Sequence, residues 1–407
     1  MNTKIMAANA DDGKLVRSTA FIVLLAVLSA LGQFASNMYL PSLPAVSAEL
    51  GISSSATALT YTIYLAAFAF AQLVYGPLAD RFGRRPLVLL GTILFVLGSG
   101  ICAMSSDLSG LLVGRVIQAI GASAGVVMAR AMVRDVFSGA DLAKALALMT
   151  IVFAMAPGFS PLIGGILQDT MGWRTVFSAA AIVGVLVFAA VATNVPETLA
   201  VRSKELSLAV AGRTYRAILK DAQFVRYAMA TAFVIGAMSA FFVGSPTVFI
   251  DLLGVSATEY GFYPPLAITG FVIGGVVTRK FAGRVPVHRL AQIGVGISLV
   301  GALFMMGFPL SGIEHKHAIN ASIVVFVSGM GVSMPTAVAI ALDRFPNSAG
   351  SAAAILGFMQ MGIGAVSSAL TGMLAVHLPF LAFPAVMLIA NIIALTLVTT
   401  AAAETTE

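Results

Sequence analysis

Within the six residues Asp80-Arg81-Phe82-Gly83-Arg84-Arg85 the chain sets one carboxylate among three guanidinium groups, directly after a long apolar run. No nucleophile, imidazole or thiol accompanies them, so the chemistry on offer is an electrostatic latch. Asp80 can accept hydrogen bonds from the arginines or from the start of a neighbouring helix, and cations at a helix C-terminus complement its dipole. Gly76 and Gly83 allow close backbone approach and a sharp turn. The competing reading is a cluster that only fixes membrane topology. Arg115 and Gln118, three apart inside another apolar run, share one helix face with Ala122. A cation within a span is costly and marks a functional position by default, the alternative being a side chain that snorkels to the surface. Pro157-Gly158-Phe159-Ser160-Pro161-Leu162-Ile163-Gly164-Gly165 should bend its helix at the prolines and let another helix approach at the glycines.

The elements that hold these groups follow from composition. With 59% hydrophobic and 10% charged residues and a mean hydropathy of +0.99, the 407-residue chain is no soluble globular protein, whose charged fraction is about 25%. Apolar runs of roughly 20 residues recur throughout, as bilayer-crossing helices require. Twelve spans are expected, near 18–40, 56–78, 87–105, 109–133, 142–168 and 172–194, then 225–250, 259–281, 289–308, 317–340, 349–375 and 379–401. The first is too long for a signal-peptide core and reads as an uncleaved span. The polar stretch 195–223 then separates an N-terminal six-helix unit (1–194) from a C-terminal one (224–407).

Lys and Arg set the orientation. With both termini cytoplasmic, 20 of the 23 cations fall in inner turns or the linker, Arg174 and Lys316 lie outside, and Arg115 remains within a span. The +6 charge is therefore membrane topology rather than a nucleic-acid face. A lone Cys102 and four histidines at span ends or turns (His288, His315, His317, His377) form no metal set, and neither a catalytic dyad nor a phosphate-binding loop is present. An enzyme, a resident metal and a cofactor are all unexpected; a channel remains the alternative to a transporter.

The chain also echoes itself. Gly283, Arg284 and Pro286 repeat Gly83, Arg84 and Pro86, and Leu253-Gly254-Val255-Ser256 repeats Leu50-Gly51-Ile52-Ser53. A repeat at half the chain length indicates two equivalent halves. Lys280 stands where the first copy has Asp80, so the latch should be stronger in the first half.

The pattern G-x-L-x-D-R-x-G-R-R at 76–85 resembles the loop between helices 2 and 3 of the major facilitator superfamily. Arg115-x-x-Gln118-x-x-Gly121 resembles that family's helix 4, and Pro157–Gly165 the helix-5 motif of its antiporter branch. Ser36-Asn37-Met38-Tyr39-Leu40-Pro41-Ser42-Leu43-Pro44 and Gln72–Pro77 narrow the resemblance to the Bcr/CflA drug-resistance group. Arg130 with Arg134-Asp135, Gly172-Trp173-Arg174 and Pro196-Glu197-Thr198 continue it. The resemblance implies an all-α inner-membrane exporter, monomeric, that moves a small molecule by alternating access in exchange for protons. Gly76, Asp80, Arg81, Gly83, Arg84, Arg85, Pro157, Pro161, Gly164 and Gly165 would serve gating.

For the substrate cavity we expect Gln33, Asn37, Tyr39, Tyr61, Tyr64, Arg115, Gln118, Met149, Phe153, Phe241, Phe242, Met359 and Gln360. Aromatics, methionines and a few polar groups suit a promiscuous apolar pocket; helix packing or lipid contact is the other reading for any one of them. One departure matters. Asn37 stands where the group has an acid, and an amide cannot titrate. Coupling then runs through Arg115, Asp135 or Asp251, or else Arg115 meets an anionic substrate directly.

Overall fold

A computed structural model describes residues 18–200 and 208–403. Lys4, Lys14, Arg17, Arg202 and Lys204, all expected inside, lie beyond the described residues. Among those described, twelve helical stretches are long and apolar enough to cross a membrane. The first is α1 (Thr19–Met38), a 3-10 turn (Leu40–Ser42) and α2 (Leu43–Leu50). There follow α3 (Ser54–Phe82), α4 (Arg84–Met104), α5 (Leu108–Val136), α6 (Gly139–Met171) and α7 (Trp173–Asn194). A short α8 (Leu208–Leu219) precedes α9 (Ala222–Pro246), which runs on as a π-helical segment (Thr247–Leu252). The second set ends with α10 (Ala257–Gly261), α11 (Tyr263–Phe281), α12 (Val287–Leu310), α13 (Lys316–Asp343), α14 (Ala349–Ala375) and α15 (Ala382–Ala403). The two sets form two six-helix bundles.

Helix starts follow local chemistry. Ser53, Asp107, Asp221 and Ser256 each accept a backbone N–H three residues on, at 2.7–3.2 Å, satisfying donors left over in the first turn. Gly51 and Gly254 end the preceding segments at φ 62° and 67°, where a Cβ would be strained, so the sequence repeat is a repeat of turn geometry. The charged stretch at 76–86 is hardly a loop. α3 continues through Phe82, α4 begins at Arg84, and Gly83 alone, at φ 98°, breaks the helix between them. Asp80 and Arg84 are thereby brought to opposite sides of one tight corner.

Pairs of glycines draw α4 and α5 together: a Cβ at Gly98 would lie 2.3 Å from the Gln118 nitrogen. This approach aligns the face carrying Arg115 and Gln118 with α4. The equivalent pair in the second bundle meets as closely, a Cβ at Gly301 falling 2.4 Å from the Phe326 nitrogen, but there an apolar ring replaces the amide.

Two seams join the bundles. Along α3 and α14, Thr62 Oγ1 and Ser368 Oγ share a hydrogen bond of 2.7 Å. Where α6 meets α10 and α11, a Cβ at Gly165 would lie 2.2 Å from the Ala257 carbonyl oxygen, and Asp169 Oδ2 accepts the Thr258 N–H at 2.8 Å. The second seam closes the end opposite the arginine-rich turns. At the basic end α8, lying within the stretch expected as linker, bridges the gap: the Tyr215 hydroxyl donates to the Leu73 carbonyl at 3.0 Å. Pro77, four residues after Leu73 in α3, has no N–H to offer that carbonyl.

Candidate functional site

Arg115 is fully enclosed in the first bundle. Its Nη1 donates to Gln118 Oε1 at 2.7 Å, its Nε to the Thr60 carbonyl at 3.3 Å and its Nη2 to Ser36 Oγ at 3.3 Å. Gln118 passes the network on to Ser99 Oγ at 2.8 Å. No carboxylate pairs with the guanidinium among the described residues. Its charge faces aromatic rings instead, those of Tyr64 at 4.1 Å, Tyr39 at 5.2 Å and Phe177 at 5.8 Å. Asn37 is equally buried: its Nδ2 donates to the Gln33 carbonyl at 2.7 Å and approaches Gln33 Oε1 at 3.3 Å, while its Oδ1 has no partner.

A cleft of ≈ 610 Å³ lies at the basic end, between the two bundles. One wall is Gly76, Asp80 and Arg84 from the α3–α4 corner with Arg130 and Arg134 of α5; Ser348, Gly350 and Ser351 at the start of α14 face it. Thr214 and Tyr215 of α8 form a third side. Its floor is tight, since a Cβ at Gly357 would lie 2.0 Å from Gln72 Oε1.

The charges at the corner are matched within the first bundle. Arg84 donates to Asp80 Oδ1 at 2.8 Å and to Asp135 Oδ2 at 3.3 Å, and Asp135 also accepts from the Thr198 hydroxyl at 3.0 Å. Glu197 takes the backbone N–H groups of Arg84 and Arg85 at 2.9 and 3.3 Å, capping α4 from the segment after α7. Arg85 donates to the Ala192 carbonyl at 2.7 Å. Glu197 was legible only as part of a motif; its capping role depends on a fold contact across more than a hundred residues.

The expected cavity residues lie elsewhere. Tyr39, Tyr61, Tyr64, Gln118, Met149, Phe241 and Phe242 are buried, whereas Gln33, Phe153, Met359 and Gln360 are half-buried. None of the thirteen lines the cleft. Gln33 reaches across to Met361 Sδ at 3.9 Å, Gln360 donates to Thr231 Oγ1 at 3.2 Å, and Phe241 packs edge-on to Phe383. Of the expected gating set, Gly76, Asp80 and Arg84 line the cleft, while Arg81, Gly83 and Arg85 do not. Pro157, Pro161, Gly164 and Gly165 belong to α6, where Gly164 abuts the Met38 carbonyl on α1. Asp135 is exposed beside Arg84, and Asp251 is exposed in the π-helical segment toward the other end. Arg130 and Arg134 were legible only as part of the resemblance and not as cleft residues, although a spacing of four places them on one helix face.

The Major Facilitator Superfamily model matches residues 25–369. The chain is 31% identical over 361 residues to the uncharacterized MFS-type transporter YdgK of Bacillus subtilis, covering 87% of this chain and 88% of that one. It is 28% identical to the bicyclomycin resistance protein homolog of Haemophilus influenzae (86% and 88% covered). To the multidrug resistance protein D of Escherichia coli it is also 28% identical (87% and 89%). In fold it is similar to a bacterial homolog of the lysosomal transporter Spinster, solved inward-facing and unoccupied (TM-score 0.69, 17% identity, 95% and 96% covered). The nucleoside transporter NupG is similar too (TM-score 0.71, 12% identity, 94% and 99%). The protein is thus a multi-pass transporter of the bacterial inner membrane and no enzyme. Its twelve spans, its two bundles and the match over most of its length place the chain in the Major Facilitator Superfamily, and it resembles the Bcr/CflA group there.

Proposed function

We propose that this chain exports amphipathic drugs or metabolites from the cytoplasm by alternating access, in exchange for protons, with residues 1–194 and 224–407 as the moving units and 195–223 as their tether. The basic end faces the cytoplasm, as the distribution of Lys and Arg favours. One observation carries the reading: a one-sided cleft walled by both bundles, with the opposite end closed where α6 meets α10. A continuous pore would have no such floor. The names of the relatives, a bicyclomycin resistance protein homolog and a multidrug resistance protein among them, support drugs as substrates.

Among the coupling candidates, Arg115 is enclosed and Asp251 is remote from the cleft, whereas Asp135 shares Arg84 with cleft-lining Asp80. We therefore take Asp135, joined to the cleft through Arg84, as the coupling candidate to test first. A second reading, export with weak proton linkage, is favoured by Asn37, whose buried amide cannot carry a proton. The test is a drug-susceptibility panel in a strain lacking other exporters, followed by efflux from proteoliposomes with and without a pH gradient. Full dependence on the gradient supports proton exchange and contradicts the second reading; no change in susceptibility to any compound contradicts export of drugs.

A further inference from the structure

We infer that the cleft at the basic end selects amphipathic organic anions, molecules that carry a carboxylate, sulfonate or phosphate beside an apolar body. This rests on the transporter reading above and names the substrate class of the same cleft. The cleft is lined by four ionised groups, and they do not balance. Asp80 and Arg84 satisfy one another at 2.8 Å, and Arg84 also takes Asp135. Arg130 and Arg134, one turn apart on α5, also line the cleft, and among the described residues no carboxylate is within ion-pair distance of either.

Guanidinium groups present forked donors that match the geometry of a carboxylate or phosphate, and two of them line the cleft here with no carboxylate partner among the described residues. The facing wall is close. A Cβ at Gly350 would lie 3.9 Å from Arg134 Nη1, so a single oxyanion can reach both sides. That wall is the first turn of the 27-residue α14, where Ser348, at the cap, makes no side-chain hydrogen bond to the helix. Its free donors add to the arginines rather than substituting for them.

The remaining lining is largely aliphatic, with Val126, Val127 and Met128 on α5 facing Ala353 and Ala354 on α14. Head recognition at the arginines with a body against these side chains fits an amphipath, and ≈ 610 Å³ is a volume suited to drug-sized ligands. An organic cation entering the same space would meet two unmatched positive charges, which disfavours it. Arg115 plays no part in this selection, because it is enclosed within its own bundle.

The test uses the full chain in phosphatidylcholine nanodiscs and three probes that share one ring: naphthoate, naphthalenemethanol and naphthylmethylammonium. Calorimetry should rank them anion, neutral, cation, with about tenfold between the first and the last. Arg130→Gln and Arg134→Gln should each weaken naphthoate about fivefold while leaving naphthalenemethanol binding intact, which also shows that the variants are folded. Equal binding of all three probes, or naphthoate binding that survives the double Gln variant, would overturn the assignment. A second arm adds phosphatidylglycerol to the nanodiscs. Little change in naphthoate affinity supports a substrate site. Displacement of naphthoate by the lipid, with loss of bound phosphatidylglycerol from the double variant, would make the cleft a headgroup site and overturn it as well. The export reading is judged separately by the susceptibility panel, so each can fail alone.

Discussion

Arg115 holds a positive charge in an apolar bundle by spreading it over three hydrogen bonds and three ring faces. A lysine would offer one compact ammonium, unable to reach Thr60, Ser36 and Gln118 together or to lie flat against Tyr64. Arg115→Lys should therefore lower stability by about 2 kcal/mol, read as a drop in the unfolding midpoint of detergent-purified protein. Asn37→Asp would place an acid, which can carry a proton, at a fully buried position. The expected outcome is efflux that depends more steeply on the pH gradient; an unchanged dependence would separate Asn37 from coupling. The pairing of Arg115 with Gln118 was legible in the sequence because a spacing of three fixes their common face. The aromatic box was not, since Tyr39, Tyr64 and Phe177 come from different segments and meet only after packing.

Elements were read unevenly. The twelve spans follow from hydropathy, and several of their starts carry a Ser or Asp cap that the sequence also displays, because both signals are local. The α3–α4 corner was expected as a loop and is one residue, Gly83, because charged side chains at the membrane surface do not prevent a helix from continuing through them. Helix α8 was expected only as part of a polar linker, although Ala211, Tyr215 and Ile218 repeat at helical spacing. Its anchor supplies a two-variant test. Tyr215→Phe leaves the Leu73 carbonyl unsatisfied and should cost about 1 kcal/mol, seen as faster hydrogen exchange in α8. In a Pro77→Ala background the restored N–H takes that carbonyl, and Tyr215→Phe should then have little effect.

The cap of α9 has a pH signature. Burial opposes ionisation of Asp221, but hydrogen bonds from Arg344 and from the backbone N–H groups of Phe224 and Gln223 hold its carboxyl below the usual carboxylate range. A depressed folded value stabilises the protein above the unfolded pKa of about 3.9, and that stabilisation is lost as pH falls through the folded value. Asp221→Asn should therefore be less stable than the parent at neutral pH, and the two unfolding midpoints should converge in acid below about pH 4.

At the scale of the molecule, the two ends behave differently although the halves repeat. Glycines at the α6 seam let backbones meet, and the basic end is held apart around a cleft lined by arginines, serines and Tyr215. The division into two bundles was legible because a duplicated chain repeats its turns; which end is open was not, because conformations separated by a few kcal/mol leave no local signal in a sequence. Gly165→Val puts side-chain atoms where the Ala257 carbonyl now lies and should shift the population toward opening at that end.

The most direct measurement of alternating access is a pair of spin-label distances on the background Cys102→Ala, whose only cysteine has been removed. One pair reports the basic end, at Arg81 and Asp343; the other reports the opposite end, at Thr170 and Phe262. Substrate or a pH step should shorten the first distance as it lengthens the second, and Gly165→Val alone should do the same. If both distances lengthen together, or neither moves under any condition that supports efflux, the protein does not work by alternating access.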